Sequence, residues 1–175
     1  MNLQEQLLKE HSRNNTIFIA NWIGSNKERF GELMHLFFQG EPKVVQRAAW
    51  VVSYCFENCQ ELVPPYLSEM VDYCNTPGIH DAVKRNVTRI IAHLNIPEKL
   101  EEPLLNLCFE LLINPKETVA VRCWCMDILL TLSRTYPEIK NELQHIIEDA
   151  LEHQEITAAF KSKSKRVLLA LKKRT

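Results

Sequence analysis

The chain has 175 residues, 46% hydrophobic and 25% charged, enough apolar material for a sizeable core and too much for a disordered protein. Its formal net charge of −1 provides no overall field to recruit nucleic acid or a membrane surface. The glycines, 4 in all, are too few for the tight hairpins of a β fold, and most of the 8 prolines stand between helical stretches.

Taken in chain order, Met1–Lys9 lacks an apolar core long enough for a signal peptide. No apolar run approaches the ~20 residues needed to cross a bilayer. With six cysteines that read as reduced thiols, the expected location is cytoplasmic. Leu3–His11 predicts a short helix ahead of a second one beginning near Arg13. Four amphipathic stretches follow, at Lys27–Gln39, Pro64–Cys74, Pro97–Ile113 and Pro137–His153. Each leads through a short break into another helical segment. The breaks are Gly40-Glu41-Pro42, Asn75-Thr76-Pro77-Gly78, Asn114-Pro115 and a point near Glu155. Proline suits a helix's first turn, where its missing N–H has no intrahelical partner.

The segments after the breaks share one register. Octets starting at Val45, Val83, Val121 and Phe160 align without gaps, at spacings of 38, 38 and 39 residues (45 to 83, 83 to 121, 121 to 160). At about 100° per residue, Val83, Val87, Ile90, Ile91 and Leu94 fall in one arc. Asp81, Lys84, Arg85, Thr88 and Arg89 fall outside it. The same arc collects Val45, Ala49, Val52, Ser53 and Phe56, then Val121, Cys125, Ile128, Leu129 and Leu132, then Phe160, Ser164, Val167, Leu168 and Leu171. Arg13–Ala20 mirrors Arg85–Ala92 at five of eight positions, which makes the N-terminus a shorter, capping copy. A repeat near forty residues with helical patterning predicts an all-α fold, a short right-handed α-solenoid of stacked helical hairpins. The expected organisation is a single domain over residues 1–175, with a cap at 1–25 and repeats at about 26–60, 61–96, 97–136 and 137–175. The basic end Lys172–Thr175 is expected to fray.

Asn114-Pro115 followed by Val121-Arg122, Cys125 and Leu129 resembles the HEAT/armadillo motif, an Asp/Asn-Pro turn with a Val-Arg pair and small residues on the second helix. Glu41-Pro42 with Val45-Gln46 and Ala49 is a weaker copy, and Pro77 with Val83-Lys84 weaker still. The chain as a whole is similar to small bacterial HEAT-like proteins. The resemblance implies a fold and no activity.

The most informative candidate site is a row of arginines. Arg13, Arg47 and Arg85 occupy one aligned position, opposite the apolar arc, where a second helix would face the solenoid's concave side. Arg89 and Arg166 share a neighbouring position. Trp50 and Tyr54 lie beside Arg47 and offer an aromatic anchor, or else simply pack against a neighbouring helix. From Glu61 on, acidic residues concentrate on first helices and basic ones on second helices, so near-zero net charge hides a basic inner face. Planar guanidinium groups suit carboxylates and phosphates. The competing reading is structural. In HEAT-like folds the arginine of the Val-Arg pair links neighbouring repeats, and here Gln46, Lys84, Arg122 and Lys161 hold that place.

Nothing in the spacing predicts a catalytic centre, a cofactor or a metal site. Cys55 with Cys59, and Cys123 with Cys125, are not two pairs spaced for tetrahedral zinc, and Cys125 belongs to the core arc. His11, His35, His80, His93, His145 and His153 are scattered over different repeats. The expected function is a non-catalytic interaction scaffold that binds an acidic peptide or protein surface on its concave second-helix face, through Arg13, Arg47, Trp50, Tyr54, Lys84, Arg85, Arg89, Arg122 and Arg166. The alternative is nucleic-acid binding in the manner of the HEAT-like DNA alkylation-repair glycosylases, to which Trp124 and Asp127, three residues apart on one helix, give a superficial likeness. That family's flanking motif does not align. A third reading is a structural subunit, expected if Met126 and Leu130 on the apolar helix Thr118–Ser133 are exposed.

Overall fold

The computed structural model describes residues 1–172; Lys173, Arg174 and Thr175, where fraying was expected, lie outside the described residues. Ten α-helices follow one another among the described residues, with no strand: α1 (Leu3–Lys9), α2 (Arg13–Ile23), α3 (Lys27–Gln39), α4 (Pro42–Asn58), α5 (Leu67–Cys74), α6 (Asp81–Ile91), α7 (Glu98–Ile113), α8 (Val119–Leu132), α9 (Ile139–His153) and α10 (Ala158–Lys172). The contacts divide the chain into two compact units, Met1–Ile90 and from Ile91 onward.

Local chemistry sets the helix ends. Asn2, Ser12 and Asn26 each accept the backbone N–H three residues on, at 3.2, 3.1 and 2.9 Å, and so start α1, α2 and α3. His80 does a related job for α6, its Nδ1 accepting the N–H of Ala82 at 3.0 Å. Gly24 ends α2 at φ +53°, a left-handed turn that disfavours any residue with a Cβ. Pro42 opens α4 in the first turn. Pro64 and Pro65 shape the entry to α5 differently. The stretch predicted as one helix from Pro64 begins as two 3₁₀ turns, Gln60–Leu62 and Pro64–Tyr66, before α5.

In the first unit α4 is the centre. It packs on α1, α2 and α3, and buries Val45, Ala48, Ala49, Val52 and Cys55. Small residues at these positions let the neighbouring helices approach closely. A buried amide ties α1 to α2: Asn15 donates to the carbonyls of Gln6 at 2.9 Å and Glu10 at 3.0 Å, and its Oδ1 accepts from Gln6 Nε2 at 2.6 Å. With every polar atom paired, Asn15 can be buried at little cost. In the second unit α8 takes the central role, packing on α7 and α10.

The arc read from the register is the buried arc. Of its twenty positions all are buried except Leu94, Leu168 and Leu171, which are half-buried. The last two sit on α10, which packs on α8 and α9 and has no further helix on its other side among the described residues. Thr88 is a correction. The register puts it outside the arc, yet it is buried, because its hydroxyl donates to the Lys84 carbonyl at 2.7 Å and needs no water. Met126 is fully buried and Leu130 half-buried, so α8 does not present the exposed apolar stripe a structural subunit would need.

Gly40 sits where α3 turns into α4. A Cβ added there would lie 2.4 Å from the Leu36 carbonyl oxygen and 3.0 Å from Val44 Cγ1. Gly40→Ala is expected to lower stability by about 1–3 kcal/mol through that overlap, seen as a lower urea midpoint at unchanged slope. Ser25→Ala, exposed in the preceding α2–α3 turn, is the matched control and should leave the midpoint in place.

Candidate functional site

In the first unit a strip of cations and aromatics runs over the start of α2 and the middle of α4. Arg13, exposed at the first residue of α2, donates its Nε–H to the Tyr54 hydroxyl at 3.2 Å. Tyr54 meets Trp50 edge-on at 6.3 Å between ring centroids, and Trp50 meets His11 edge-on at 5.5 Å. These are ordinary edge-to-face separations. They hold the half-exposed Trp50 and Tyr54 in fixed orientations beside a guanidinium. Arg85 on α6 is exposed, and no ion pair holds it among the described residues.

Arg47 shares the aligned position of Arg13 and Arg85 but not their surroundings. It is half-buried, and its Nη1 donates to the Leu7 carbonyl at 2.7 Å, across 40 residues of sequence. Leu7 is in the last turn of α1, where helix carbonyls lack intrahelical donors. Arg47 therefore closes the end of α1. Arg122 has the same role in the second unit and is more deeply committed. It is buried, donating from Nε to the Leu112 carbonyl near the end of α7 and from Nη2 to Gln154 Oε1, each at 2.9 Å. Its guanidinium also stacks 4.4 Å from the centre of the Phe160 ring. Burial lowers its pKa from the usual arginine value. One side chain thus joins α7, α8, the α9–α10 turn and α10.

Other members of the row are partly engaged. Arg89 pairs with Glu57, linking α6 to α4, and both side chains are well exposed, so the pair adds little stability. Lys84, half-buried on α6, also has an interaction within the fold. Arg166 is 68% exposed and reaches Asp127 Oδ1 at 3.4 Å. The other oxygen of Asp127 accepts from Lys163.

This trio borders a feature that the arginine row did not identify. Between α8 and α10 opens a groove of about 580 Å³. Val119, Ala120 and Ala159 form apolar walls; Trp124, Lys163 and Arg166 line the rest. The Lys163 ammonium stands 5.1 Å from the centre of the Trp124 ring, and His93 packs edge-on against that ring at 5.4 Å. The register carries the signal. The position that holds Arg47 and Arg85 in the first unit falls on Cys123 and Ser162 in the second, and both line the groove. Small side chains replace arginines, and a space opens.

Five of the six cysteines are buried and only Cys59 is partly exposed. Burial, reinforced by the neighbouring Cys59, pushes the Cys55 thiol up to about 12. The Cys125 thiol is raised well above the usual range by its hydrogen bond with Cys108 and by burial. Among the described residues no group of three or more His, Cys, Asp or Glu side chains converges to hold a metal ion. No helix among them is long and apolar enough to cross a membrane.

A family model of the HEAT repeat domain matches residues 3–171. The chain belongs to the HEAT repeat family. HEAT repeats commonly act as protein-interaction scaffolds and are typically non-catalytic. No curated protein and no solved structure matches this HEAT-repeat chain. The comparisons thus secure the repeat fold and leave the similarity to small bacterial proteins without further support.

Two consequences separate the arginines that hold the HEAT hairpins together from the free ones. Arg122→Ala should lower unfolding free energy by about 3 kcal/mol and Arg47→Ala by about 1–3 kcal/mol, because each orphans a carbonyl. Arg85→Ala should change it by less than about 0.5 kcal/mol. Equal effects in a urea series would contradict this division. Brief iodoacetamide treatment of the native protein at pH 8 should label Cys59 first and Cys123, at the groove wall, more slowly, read by peptide mass spectrometry, with the other four reacting only after denaturation.

Proposed function

We propose that this HEAT-repeat protein is a non-catalytic scaffold that binds an acidic peptide or protein surface on its second-helix face. In the first unit the contacting groups are Arg13, Trp50, Tyr54 and Arg85, and in the second Arg166. Arg47 and Arg122 serve the fold instead, and Arg89 and Lys84 contribute charge at the edge of the surface.

One observation carries the reading. Arg13 is held on the Tyr54 hydroxyl beside a half-exposed Trp50, so a cation and two aromatic rings are oriented before any partner arrives. Pre-set aromatic and arginine side chains are the groups that dominate protein interfaces, since little rotamer entropy remains to be lost on binding. Carboxylates meet the guanidinium fork in the geometry it favours.

An Arg13→Glu/Arg85→Glu protein tests this. Used as bait in native lysate at low salt, the unsubstituted protein should retain a partner that survives nuclease, and the double variant should lose it while its helicity and melting temperature stay within error. A partner recovered equally by both proteins would overturn the assignment. Material released by nuclease, with affinity falling steeply as salt rises, would put nucleic acid in its place.

A further inference from the structure

The α8–α10 groove combines three properties that the first-unit strip does not. It is concave, with walls of small apolar side chains from Val119, Ala120 and Ala159. Its one large surface is the Trp124 ring, which contacts both the His93 ring and the Lys163 ammonium. Its rim is cationic, with Lys163 only 13% exposed and Arg166 largely free in solvent.

The helix ends add to that charge. Val119 and Ala120 are the first two residues of α8 and Ala159 the second of α10, so the first turns of two helices border the same space. Helix N-termini carry partial positive charge and unsatisfied N–H groups. No side chain caps α8, although the Glu117 carboxylate accepts the N–H of Thr118 just outside it and offsets part of the field, while at α10 the Thr157 hydroxyl already accepts the Phe160 N–H at 3.2 Å. The Asp127 carboxylate pairs with both cations of the rim.

We propose that this groove is the docking site for an acidic peptide segment: one apolar or aromatic side chain enters against Trp124, and flanking carboxylates bind Lys163 and Arg166. The proposal rests on the scaffold reading and gives it an address in the second unit. Charge complementarity selects the occupant. A basic segment would face two cations and two helix N-termini, and a purely apolar one would leave the rim unused. Asp127 makes the recognition competitive. It holds Arg166 at 3.4 Å, a long contact on an exposed side chain, which an incoming carboxylate replaces at small cost. Lys163 is half-buried over the Trp124 ring and stays in place as the fixed end of the site.

The chain contains 3 tryptophans, Trp22 and Trp50 in the first unit and Trp124 in the second, so three indole N–H resonances report separately. The probe is a capped pentapeptide with phenylalanine between two pairs of glutamates, titrated into the full chain labelled with ¹⁵N. Companion titrations replace its phenylalanine with alanine or its glutamates with lysines. The Trp124 indole should shift with the first peptide, about tenfold more weakly with the alanine form, and not with the lysine form. Arg166→Glu should weaken binding about tenfold at unchanged melting temperature, and Lys163→Ala should weaken it without reversing charge. Asp127→Asn, which releases both cations, should tighten it severalfold.

A Trp124 signal that ignores the peptide, or that responds equally to the acidic and basic forms, overturns the groove assignment. If Trp50 shifts instead, the groove fails while the scaffold reading stands. If no indole or backbone amide responds to the acidic peptide, both fail.

Discussion

A helical hairpin of forty residues cannot bury its own apolar face, and everything else in this protein follows from that constraint. The second helix of each hairpin has one arc that must be covered by its own first helix and by the second helices beside it. That is why Ala48, Ala49 and Val52 on α4, and Val121, Cys125 and Ile128 on α8, are small or branched and wholly buried. Bulk at these positions would push neighbouring helices apart. The same geometry leaves each second helix one side free to vary, and the polar side chains of interest collect there.

Stacking hairpins also creates a recurring polar problem. First helices end inside the structure, with carbonyls that no intrahelical donor reaches. Arg47 at the Leu7 carbonyl and Arg122 at the Leu112 carbonyl are two solutions of one kind, at different aligned positions. A long, forked, always-charged side chain can cross from one helix to the end of another and still place its hydrogen bonds well. The result is that an arginine on a second helix has two possible uses. Where a carbonyl lies within reach it is drawn into the fold. Where none does, as for Arg13 and Arg85, the charge stays at the surface.

This division explains what the sequence could and could not disclose. The helical repeat, the buried arc and the breaks between helices follow from periodicity and proline placement, which are local properties. Thr88 departs from the arc because a hydroxyl can bond to its own helix, making a polar residue compatible with burial. The entry to α5 departs because two consecutive prolines favour a tight turn over a regular helix. The arginine row was legible as a register, but not its two fates, since whether a guanidinium meets a carbonyl depends on helices distant in sequence. The groove was harder still. Trp124 and Lys163 are separated by 39 residues, one stacking offset apart in the register, and their significance appears only when α8 and α10 lie side by side. The signal available was negative: Cys123 and Ser162 stand where other copies carry arginine.

The electrostatics of the second unit limit what such a groove can achieve. Lys163 and Arg166 already share Asp127, so a ligand carboxylate exchanges one anion for another and gains little net Coulomb energy. Most of the affinity must come from covering the Trp124 ring and the alanine walls, about 1.5–3 kcal/mol for one buried apolar side chain. Against the entropy of association that supports only weak binding by a short segment. The charges then act mainly on which segment binds, since like charge at the rim is repelled while Asp127 prevents indiscriminate capture of anions. Tight association would require more contacts than this groove provides.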